Sequence, residues 1–295
     1  MTDAGNRGVA VPDALAWLRA DPAGRPWLDG LPALVEALAR DWGLRVGDPY
    51  ADGFASLAVR VRTTGDVPAV LKLQFPDRES RAEADALAAW NGNGAVRLLE
   101  WDPARRALLL ERCEPGTSLL EAAPAMRLDV LEGLLPRLWV GAPAAVGTLT
   151  DEAGWWAERL EASWAARGRG LPRAILGESF SALVELPAEQ DEAVLLNQDL
   201  HAGNVLAAAR EPWLVIDPKP LAGERAFGLA PVLRDVGRHD PSGVVPALDR
   251  LSGALGLDRE RCRRWALAQT VAWAFDGDAV DPVHAAVARV LHDAR

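Results

Sequence analysis

The chain has 295 residues, a length that exceeds the usual size of one domain and favours two lobes or one fold with an added subdomain. Hydrophobic residues make up 49% and charged residues 25%, as in ordinary soluble globular proteins, and no apolar run approaches the ~20 residues that span a bilayer. The net charge of −10 argues against a nucleic-acid binder and is compatible with a small cationic ligand.

Residues 1–43 have the pattern of an N-terminal helical extension. The segments VPDALAWLRA and WLDGLPALVEALARDWG repeat apolar residues at helical spacing, and DPAGRP separates them. The opening residues MTDAGNRGVAVPDAL lack the basic start and apolar core of a secretory signal. The two cysteines, Cys113 and Cys262, are too few for a disulfide framework, and no Cys/His grouping has zinc spacing. We therefore expect a cytosolic, cytoplasmic protein.

Residues 44–114 are predicted to form a strand-rich lobe. The stretch FASLAVRVRTTGDVPAVLKLQFP alternates around a TTGD turn, which predicts a hairpin. A helix is expected over DRESRAEADALAAW, with Asp77 as its N-cap and NGNG as its stop signal. Two more short strands are expected in AVRLLEWDP and RALLLERC, before EPGTSL interrupts the pattern.

Residues 115–295 are mostly helical by pattern and are predicted to form the second lobe. For Trp155, Trp156 and Trp164 of DEAGWWAERLEASWAAR we expect packing in the core. One strand-like island, AVLLNQDLHAGNVLAAAREPWLVIDPKP, interrupts the helices. A strand-rich part followed by a helix-rich part, with a connector near residues 111–116, predicts two unequal lobes and a ligand-binding cleft between them.

The island carries side chains that suit phosphoryl transfer. Asp199 and Asn204 are five residues apart, and Asp217 follows the apolar run WLVI, so a strand is expected to deliver its carboxylate to an edge. Oxygen ligands in a cleft suit Mg²⁺, whose coordination phosphates and water complete. Phosphoryl transfer needs such a metal, a carboxylate that orients the attacking hydroxyl, and a cation on the nucleotide phosphates.

Five separated segments, in order, resemble one family. DLHAGN and LVIDPK resemble the catalytic loop and metal-binding Asp of aminoglycoside phosphotransferases, and VLKLQFPDRESRAEADAL resembles their strand Lys and helix Glu. With AVRLLEWDP and LLLERCEPGTSL, the set is similar to the streptomycin 6-phosphotransferase and hydroxyurea phosphotransferase branch. The resemblance implies an α+β, protein-kinase-like two-lobed fold, with an antiparallel-sheet N-lobe and a mainly helical C-lobe.

The resemblance also implies an activity, which is transfer of the γ-phosphoryl group of ATP to a hydroxyl of a streptomycin-type aminoglycoside. It implies that Asp199 orients the hydroxyl and that Asn204 and Asp217 hold Mg²⁺. The implied nucleotide contacts are Lys72, held by Glu83, and backbone groups around Glu111 to Cys113 at the adenine. Lys219 joins the candidate phosphate contacts because it lies two residues after Asp217; a surface lysine in a Pro-bounded turn is an equal alternative.

Lysine is rare in this chain, and the positions of the two lysines therefore support the proposed nucleotide site. Lys and Arg together number 32, yet only Lys72 and Lys219 are lysines, and both fall in the proposed nucleotide site. On the predicted strand Val70, Lys72 and Gln74 share one face. A compact ammonium fits between phosphates and a carboxylate, where a planar guanidinium fits poorly.

Several of these residues keep a second interpretation. Lys72 alone is compatible with an edge-strand charge. Glu79 lies one helical turn before Glu83 and competes for Lys72, and Ser80 with Glu83 matches a capping box. We expect His201 to order its loop by hydrogen bonding rather than to act as a catalyst.

The sequence departs from the family pattern at three places. Asn197-Gln198 stands where His-Gly is usual, the hairpin segment DGFASL has no glycine-rich motif, and Gly228 replaces an acidic residue that would anchor the following segment. The first two departures motivate a non-catalytic nucleotide-binding module as an alternative class of function, whereas the intact Asp199 and Asp217 oppose it. Hydroxyurea or another small metabolite is the alternative acceptor. Acidic residues of the second lobe are candidates to contact the acceptor, namely Asp235, Asp240, Asp276 and Asp278. The oligomeric state stays open.

Overall fold

The computed structural model describes residues 9–167, 169–275 and 277–295, so residues 1–8 of the predicted extension lie outside the described residues. A 3₁₀ helix, Asp13–Ala20, precedes the first α-helix. The α-helices are α1 (Gly24–Asp41), α2 (Glu83–Trp90), α3 (Pro124–Leu138), α4 (Leu149–Ala166), α5 (Arg173–Ala188), α6 (Leu229–His239), α7 (Val244–Leu255), α8 (Arg259–Trp273) and α9 (Pro282–Asp293). The strands are β1 (Arg45–Pro49), β2 (Ser56–Arg62), β3 (Pro68–Gln74), β4 (Leu98–Asp102), β5 (Ala107–Glu111), β6 (Pro115–Ser118), β7 (Val194–Asn197), β8 (Val205–Ala208), β9 (Trp213–Val215) and β10 (Pro220–Gly223).

An antiparallel sheet with the order β1-β2-β3-β5-β4 dominates the first part of the chain. Strands β2 and β3 pair from Ser56↔Gln74 to Arg62↔Pro68, which confirms the predicted hairpin. Asp66 lies in the turn with φ 61°, a left-handed conformation that Asp tolerates better than most residues. The strands expected around residues 95–113 are confirmed as β4 and β5.

The N-terminal helices cover one face of this sheet. Leu28, Leu31, Val35 and Leu38 follow helical spacing along α1 and are buried in one cluster with sheet residues such as Leu71 and Leu73. Burying a leucine side chain contributes roughly 1.5–3 kcal/mol. Because side chains alternate along a strand, Lys72 points to the other face, towards the second lobe.

The helix after β3 begins later than the sequence pattern predicts. Asp77 was expected as its N-cap, but α2 begins at Glu83. The Asp77 carboxylate instead accepts a hydrogen bond from the Ser80 backbone nitrogen at 2.7 Å, which stabilises a local turn in competition with the helix. The predicted stop is confirmed, since Asn91 ends α2 with φ 45°.

Helices form most of the second part of the chain. Phe227 packs against Trp156 and edge-on against Trp265 in the core of this part, with centroid distances of 6.2 and 5.4 Å. Two small sheets, β10-β7 and β6-β8-β9, sit among the helices and carry the loops with Asp199 and Asp217. The antiparallel sheet followed by a mainly helical part confirms the expected α+β composition. The division at residues 43–44 and 114–115 stays a prediction.

Within the described residues, no helix is both long enough and apolar enough to cross a membrane.

Gly237 allows α6 to approach its neighbours closely. A Cβ at this position would lie 2.3 Å from Val287 of α9 and 2.8 Å from Val244 of α7. We expect Gly237→Ala to lower the free energy of unfolding by about 1–3 kcal/mol, because both neighbours must shift. Gly154 of α4 is the control, because a Cβ there would meet nothing within 4 Å. Gly154→Ala should therefore raise the free energy of unfolding by about 0.5–1 kcal/mol. Urea unfolding measures both changes, and equal effects would refute the packing argument.

Candidate active site

Lys72 joins side chains from three segments of the chain. Its ammonium group on β3 lies 2.7 and 2.6 Å from the two carboxylate oxygens of Glu83 and 2.6 Å from Oδ1 of Asp217. Glu83 is fully buried at the start of α2, and the Gln74 side-chain amide also donates to it at 2.7 Å. Lys72 therefore contacts Glu83 rather than Glu79, and the Glu83 side chain binds this ammonium instead of a helix cap.

The ionised forms of these groups stabilise one another. Burial lowers the pKa of Lys72, but the carboxylates of Asp217 and Glu83 outweigh it, so the pKa of Lys72 lies above its ordinary value. Partial loss of hydration at the cavity wall raises the pKa of Asp217, but the ammonium groups of Lys72 and Lys219 together outweigh this effect, so the pKa of Asp217 is lowered. For Glu83 burial dominates and raises the pKa, although Lys72 acts in the opposite direction. Because Lys72 contacts both Glu83 oxygens, we treat this pair as ionised.

Asp217 adopts a left-handed backbone conformation between β9 and β10. Its φ of 49° lies in the region that Asp, like Asp66 in the hairpin turn, tolerates better than most residues other than glycine. The preceding residue, Ile216, donates its backbone N–H to the Asn204 carbonyl at 2.9 Å, which fixes the Asp217 loop to the Asp199 loop. About half of the Asp217 side chain is exposed, towards a cavity that it lines.

Asn197 stabilises the loop that follows β7. Its side-chain oxygen accepts hydrogen bonds from the backbone nitrogens of Asp199, at 3.1 Å, and Lys219, at 3.0 Å. The next residue, Gln198, donates its N–H to the Lys219 carbonyl at 2.9 Å. The unusual Asn197-Gln198 pair thus ties the Asp199 loop to the segment after Asp217.

His201 and Asn204 order the other side of the same loop. The His201 Nδ1 accepts a hydrogen bond from the Gly203 N–H at 3.0 Å, as expected for a loop-ordering residue. Burial lowers the pKa of His201, which favours the neutral imidazole that can accept this bond. The Asn204 side-chain nitrogen donates to the Asp199 carbonyl at 3.3 Å.

Three cationic or polar side chains face the Asp199 carboxylate. Arg234 lies 3.0 Å from Oδ1, whereas Lys219 lies 3.3 Å and His201 3.9 Å from Oδ2. Lys219 also contacts Glu79 at 3.0 Å. Burial lowers the pKa of Lys219, but Asp199 and Glu79 outweigh it and the pKa is raised. Both lysines of the chain therefore belong to this cluster of charges.

Helix α6 supplies two residues that the sequence did not single out for these roles. Arg234 contacts Asp199, and Asp235 accepts a hydrogen bond from the Ala202 backbone N–H at 2.9 Å. A charged pair within the helical segment LAPVLRDVGRH was the available signal in the sequence.

Gly228 stands where an acidic residue is usual in the family. A Cβ at this position would lie 3.0 Å from the Trp139 ring, so glycine allows close packing there.

These side chains line a cavity of about 1480 Å³. Lys72, Asp199, Asn204, Asp217 and Lys219 all border it, together with the aromatic residues Trp17, Phe54, Phe75, Trp155 and Trp273. The cavity is therefore large enough for a nucleotide phosphate chain and a small acceptor together. Its position agrees with the cleft predicted between the two lobes.

Glu111 and Cys113 do not border this cavity. The Glu111 carboxylate binds Arg210 at 2.8 and 2.9 Å, and its backbone N–H donates to the Arg97 carbonyl. Cys113 is buried, which raises the pKa of its thiol to about 12 and makes it a poor nucleophile. Contact of this segment with adenine stays a prediction.

The cavity mouth has aromatic residues from both parts of the chain. Trp155 was expected in the core, but it is 37% exposed, and the guanidinium carbons of Arg78 and Arg159 lie 4.2 and 4.4 Å from the centroid of its ring. The expectation of core packing holds for Trp156 and is wrong for Trp155.

A second aromatic pair lies at the segment DGFASL, which has no glycine-rich motif. Trp17 stacks on Phe54 of this segment at a centroid distance of 4.8 Å and donates its indole N–H to the Phe54 carbonyl at 2.9 Å.

Of the acidic residues considered for the acceptor, one among those that the structure describes borders the cavity. It is Asp235, whose carboxylate binds the loop backbone. Asp240 caps a short 3₁₀ turn and, like Asp278, does not line the cavity. Asp276 lies outside the described residues.

The side-chain oxygens of Asp217 and Asn204 are candidate ligands for a metal ion that also binds phosphate. In the described part of the chain, no group of three or more His, Cys, Asp or Glu side chains is arranged to hold a metal ion. Asp217 and Asn204 nevertheless both border the cavity, and a carboxylate and an amide oxygen are hard ligands that suit Mg²⁺. The donor set fits a metal whose remaining ligands come from nucleotide and water.

Removing the ammonium group should destabilise the protein strongly. Lys72→Met leaves the buried Glu83 carboxylate close to Asp217 without its cation, and breaking a buried pair in this way costs about 3–5 kcal/mol. Arg250→Met is the control, because it breaks only exposed pairs with Asp129 and Glu132, and should cost less than about 1 kcal/mol. Urea unfolding measures both, and a similar loss in both variants would contradict the expectation.

The sequence matches one family over most of its length. A family model described as aminoglycoside/hydroxyurea antibiotic resistance kinase matches residues 42–278. The chain is 43% identical to a hydroxyurea phosphotransferase of Kitasatospora aureofaciens, with 91% of this chain and 81% of the relative covered. It is 41% identical to a streptomycin 6-kinase of Streptomyces glaucescens, with 96% and 97% covered.

Solved structures share the fold at much lower sequence identity. The choline kinase LicA from Streptococcus pneumoniae has a TM-score of 0.63 at 11% identity, with 90% of this chain and 98% of that chain covered. A thermostable mutant of the aminoglycoside phosphotransferase APH(4)-Ia, in ternary complex with ADP and hygromycin B, has a TM-score of 0.60 at 13% identity, with 87% and 97% covered. The resemblance inferred from five sequence segments is confirmed, and so is the protein-kinase-like fold that it implied. Since the family match spans residues 42–278 and the relatives align over most of both chains, the protein belongs to the aminoglycoside/hydroxyurea antibiotic resistance kinase family.

Proposed function

We propose that this protein transfers the γ-phosphoryl group of ATP to a hydroxyl of a small antibiotic, a streptomycin-type aminoglycoside, in the cytosol. The observation that carries the proposal is the convergence of Lys72, Asp217 and Asp199 on one cavity. Lysine and carboxylates from distant parts of the chain meet there in the combination that phosphoryl transfer requires.

The nucleotide side of the proposed site is centred on Lys72. When ATP binds, its phosphates compete with Asp217 for the ammonium, while the buried Glu83 keeps Lys72 in place. Asp217 and Asn204 would hold Mg²⁺, which supplies neutralisation of phosphate charge. Lys219 contacts Glu79 and Asp199, and its ammonium lies 5.4 Å from the centroid of the Trp273 ring; because 28% of its side chain is exposed, it is the second candidate for a phosphate contact. Contact of the adenine with the backbone around Glu111 to Cys113 remains part of the proposal, although Glu111 and Cys113 do not border the cavity.

Asp199 orients the acceptor in this proposal. Its carboxylate is mostly buried beside the cavity, and its loop is fixed by Asn197 and Asp235. A carboxylate fixed in this way can accept the hydrogen bond of the attacking hydroxyl and align its oxygen with the γ-phosphorus. Positioning and charge neutralisation then account for most of the acceleration.

Two observations bear on the identity of the acceptor. The streptomycin 6-kinases of Streptomyces glaucescens and Streptomyces griseus are 41% and 38% identical to this chain, and the net charge of −10 favours a cationic acceptor. A hydroxyurea phosphotransferase is 43% identical, and Arg234 and Arg238 border the cavity, which favours a neutral acceptor. Hydroxyurea is therefore the second candidate.

An acceptor panel tests this proposal. Purified protein is incubated with ATP, Mg²⁺ and streptomycin, hydroxyurea or choline, and products are detected by mass spectrometry. We expect phosphorylated streptomycin, and a product with hydroxyurea alone would favour the second candidate. Asp199→Asn should lower kcat by about 10²–10⁴-fold with little change in the Kd for ATP. Unchanged turnover in this variant would contradict the catalytic assignment, and absence of any product would favour a non-catalytic nucleotide-binding module.

Replacing Lys72 by the larger cation separates activity from stability. Lys72→Arg keeps the positive charge, so we expect the free energy of unfolding to fall by less than about 3 kcal/mol. The planar guanidinium cannot replace the ammonium between Glu83 and a phosphate, so kcat/KM should fall more than about 100-fold. The control is Arg250→Lys, which should leave kcat/KM unchanged. An Arg variant as active as the unmodified protein would refute this account of Lys72.

A further inference from the structure

We propose that Arg234 is a positioning residue that fixes the Asp199 carboxylate through Oδ1, so that Oδ2 is the oxygen presented to the acceptor hydroxyl. The inference rests on the proposed function, since it assigns a role to a residue acting through Asp199. It is carried by the contacts of Arg234, Asp235 and Lys219 on the loop between β7 and β8.

Arg234 is held on two sides. Its Nη2 lies 3.0 Å from Asp199 Oδ1, and its guanidinium carbon lies 3.8 Å from the centroid of the Trp273 ring. A planar guanidinium can bind a carboxylate at its edge and stack on an aromatic ring with its face, and stacking restricts its rotation. Only 6% of the Arg234 side chain is exposed. The Arg234 guanidinium, which stacking on Trp273 holds in place, therefore fixes the position of Asp199 Oδ1.

The neighbouring residue on α6 holds the backbone of the same loop. Asp235 Oδ2 accepts the Ala202 N–H at 2.9 Å, three residues after Asp199. Consecutive residues of one helix thus contact the loop at a side chain and at a backbone amide. Helix α6 packs against α7, α8 and α9, so these two contacts place Asp199 relative to the core of the second lobe.

The cation at the other oxygen is held differently. Lys219 lies 3.3 Å from Oδ2 but shares its ammonium with Glu79 at 3.0 Å, and 28% of its side chain is exposed. His201 Nε2 is 3.9 Å from Oδ2, too far for a hydrogen bond. The Lys219 ammonium also lies over the Trp273 ring, but at 5.4 Å from the centroid, against 3.8 Å for the Arg234 guanidinium carbon. A flexible lysine stem can turn towards incoming phosphates, whereas the more closely stacked and less exposed Arg234 stays on Oδ1. Oδ2 is therefore the oxygen that becomes accessible when substrates occupy the cavity.

A buried ion pair with a purely structural role is the competing explanation. Such a pair would lower stability when broken but would leave kcat of the folded fraction unchanged. A double-mutant cycle separates the two explanations, because a residue that acts through Asp199 cannot contribute once the Asp199 carboxylate is gone.

The experiment measures kcat, the KM for ATP and the midpoint of thermal unfolding for Arg234→Met, Asp199→Asn and the double variant, with the acceptor that the unmodified protein phosphorylates. We expect Arg234→Met to lower kcat roughly 10- to 100-fold and to change the KM for ATP less than about twofold. In the Asp199→Asn background, the same substitution should lower kcat less than about threefold. Arg250→Met, which removes an exposed arginine that does not border the cavity, should leave kcat unchanged.

A second variant keeps the proposal testable if Arg234→Met does not fold. Arg234→Lys keeps the charge but cannot both stack on Trp273 and bind the carboxylate edge-on, so we expect kcat between that of Arg234→Met and the unmodified protein. Unchanged kcat in a folded Arg234 variant, or losses that multiply in the double variant, would overturn the proposal. If the unmodified protein phosphorylates no acceptor, the proposed function itself fails, which is a separate result.

Discussion

The burial of one ammonium group constrains the rest of the site. A lysine stays charged when it is buried only if anionic or polar groups compensate for the loss of water. Lys72 has two such carboxylates, Glu83 at the start of α2 and Asp217 after β9. The sheet, the helix and the second lobe must therefore meet at this point. From Asp217 the constraint extends through Asn204 and Asn197 to the loop of Asp199, because backbone and side-chain hydrogen bonds join the two loops.

The sequence predicted those parts of the site that short motifs encode. Lys72 stood out because the chain uses lysine twice, and Asp199, Asn204 and Asp217 lie in a compact island between helices. The hairpin followed from strict alternation, which sets the register once one face is buried. These signals are local, so a single sequence is enough to find them.

Other features depend on contacts that sequence distance hides. Arg234 is 35 residues from Asp199, and a charge on a helix has the same pattern whether it faces solvent or a loop. Trp155 and Trp156 are adjacent in one helical segment, but only Trp156 points into the core. The late start of α2 arose because Asp77 binds the Ser80 backbone, a local competition that helix propensity does not describe. Tertiary packing decided each of these cases.

The extent of the family match differs from the extent of the folding unit. The matched segment, residues 42–278, omits α1 and α9. Yet α1 contributes much of the apolar layer beneath the sheet that carries Lys72, and Val287 of α9 packs against the Gly237 turn of α6. Trimming the chain to the recognisable kinase segment would expose leucines on one lobe and release the helix that supports Asp199 on the other. The two helices outside the family match, α1 and α9, are therefore needed for the packing of the two lobes. When segments are exchanged between relatives, both helices should be transferred together with the motifs.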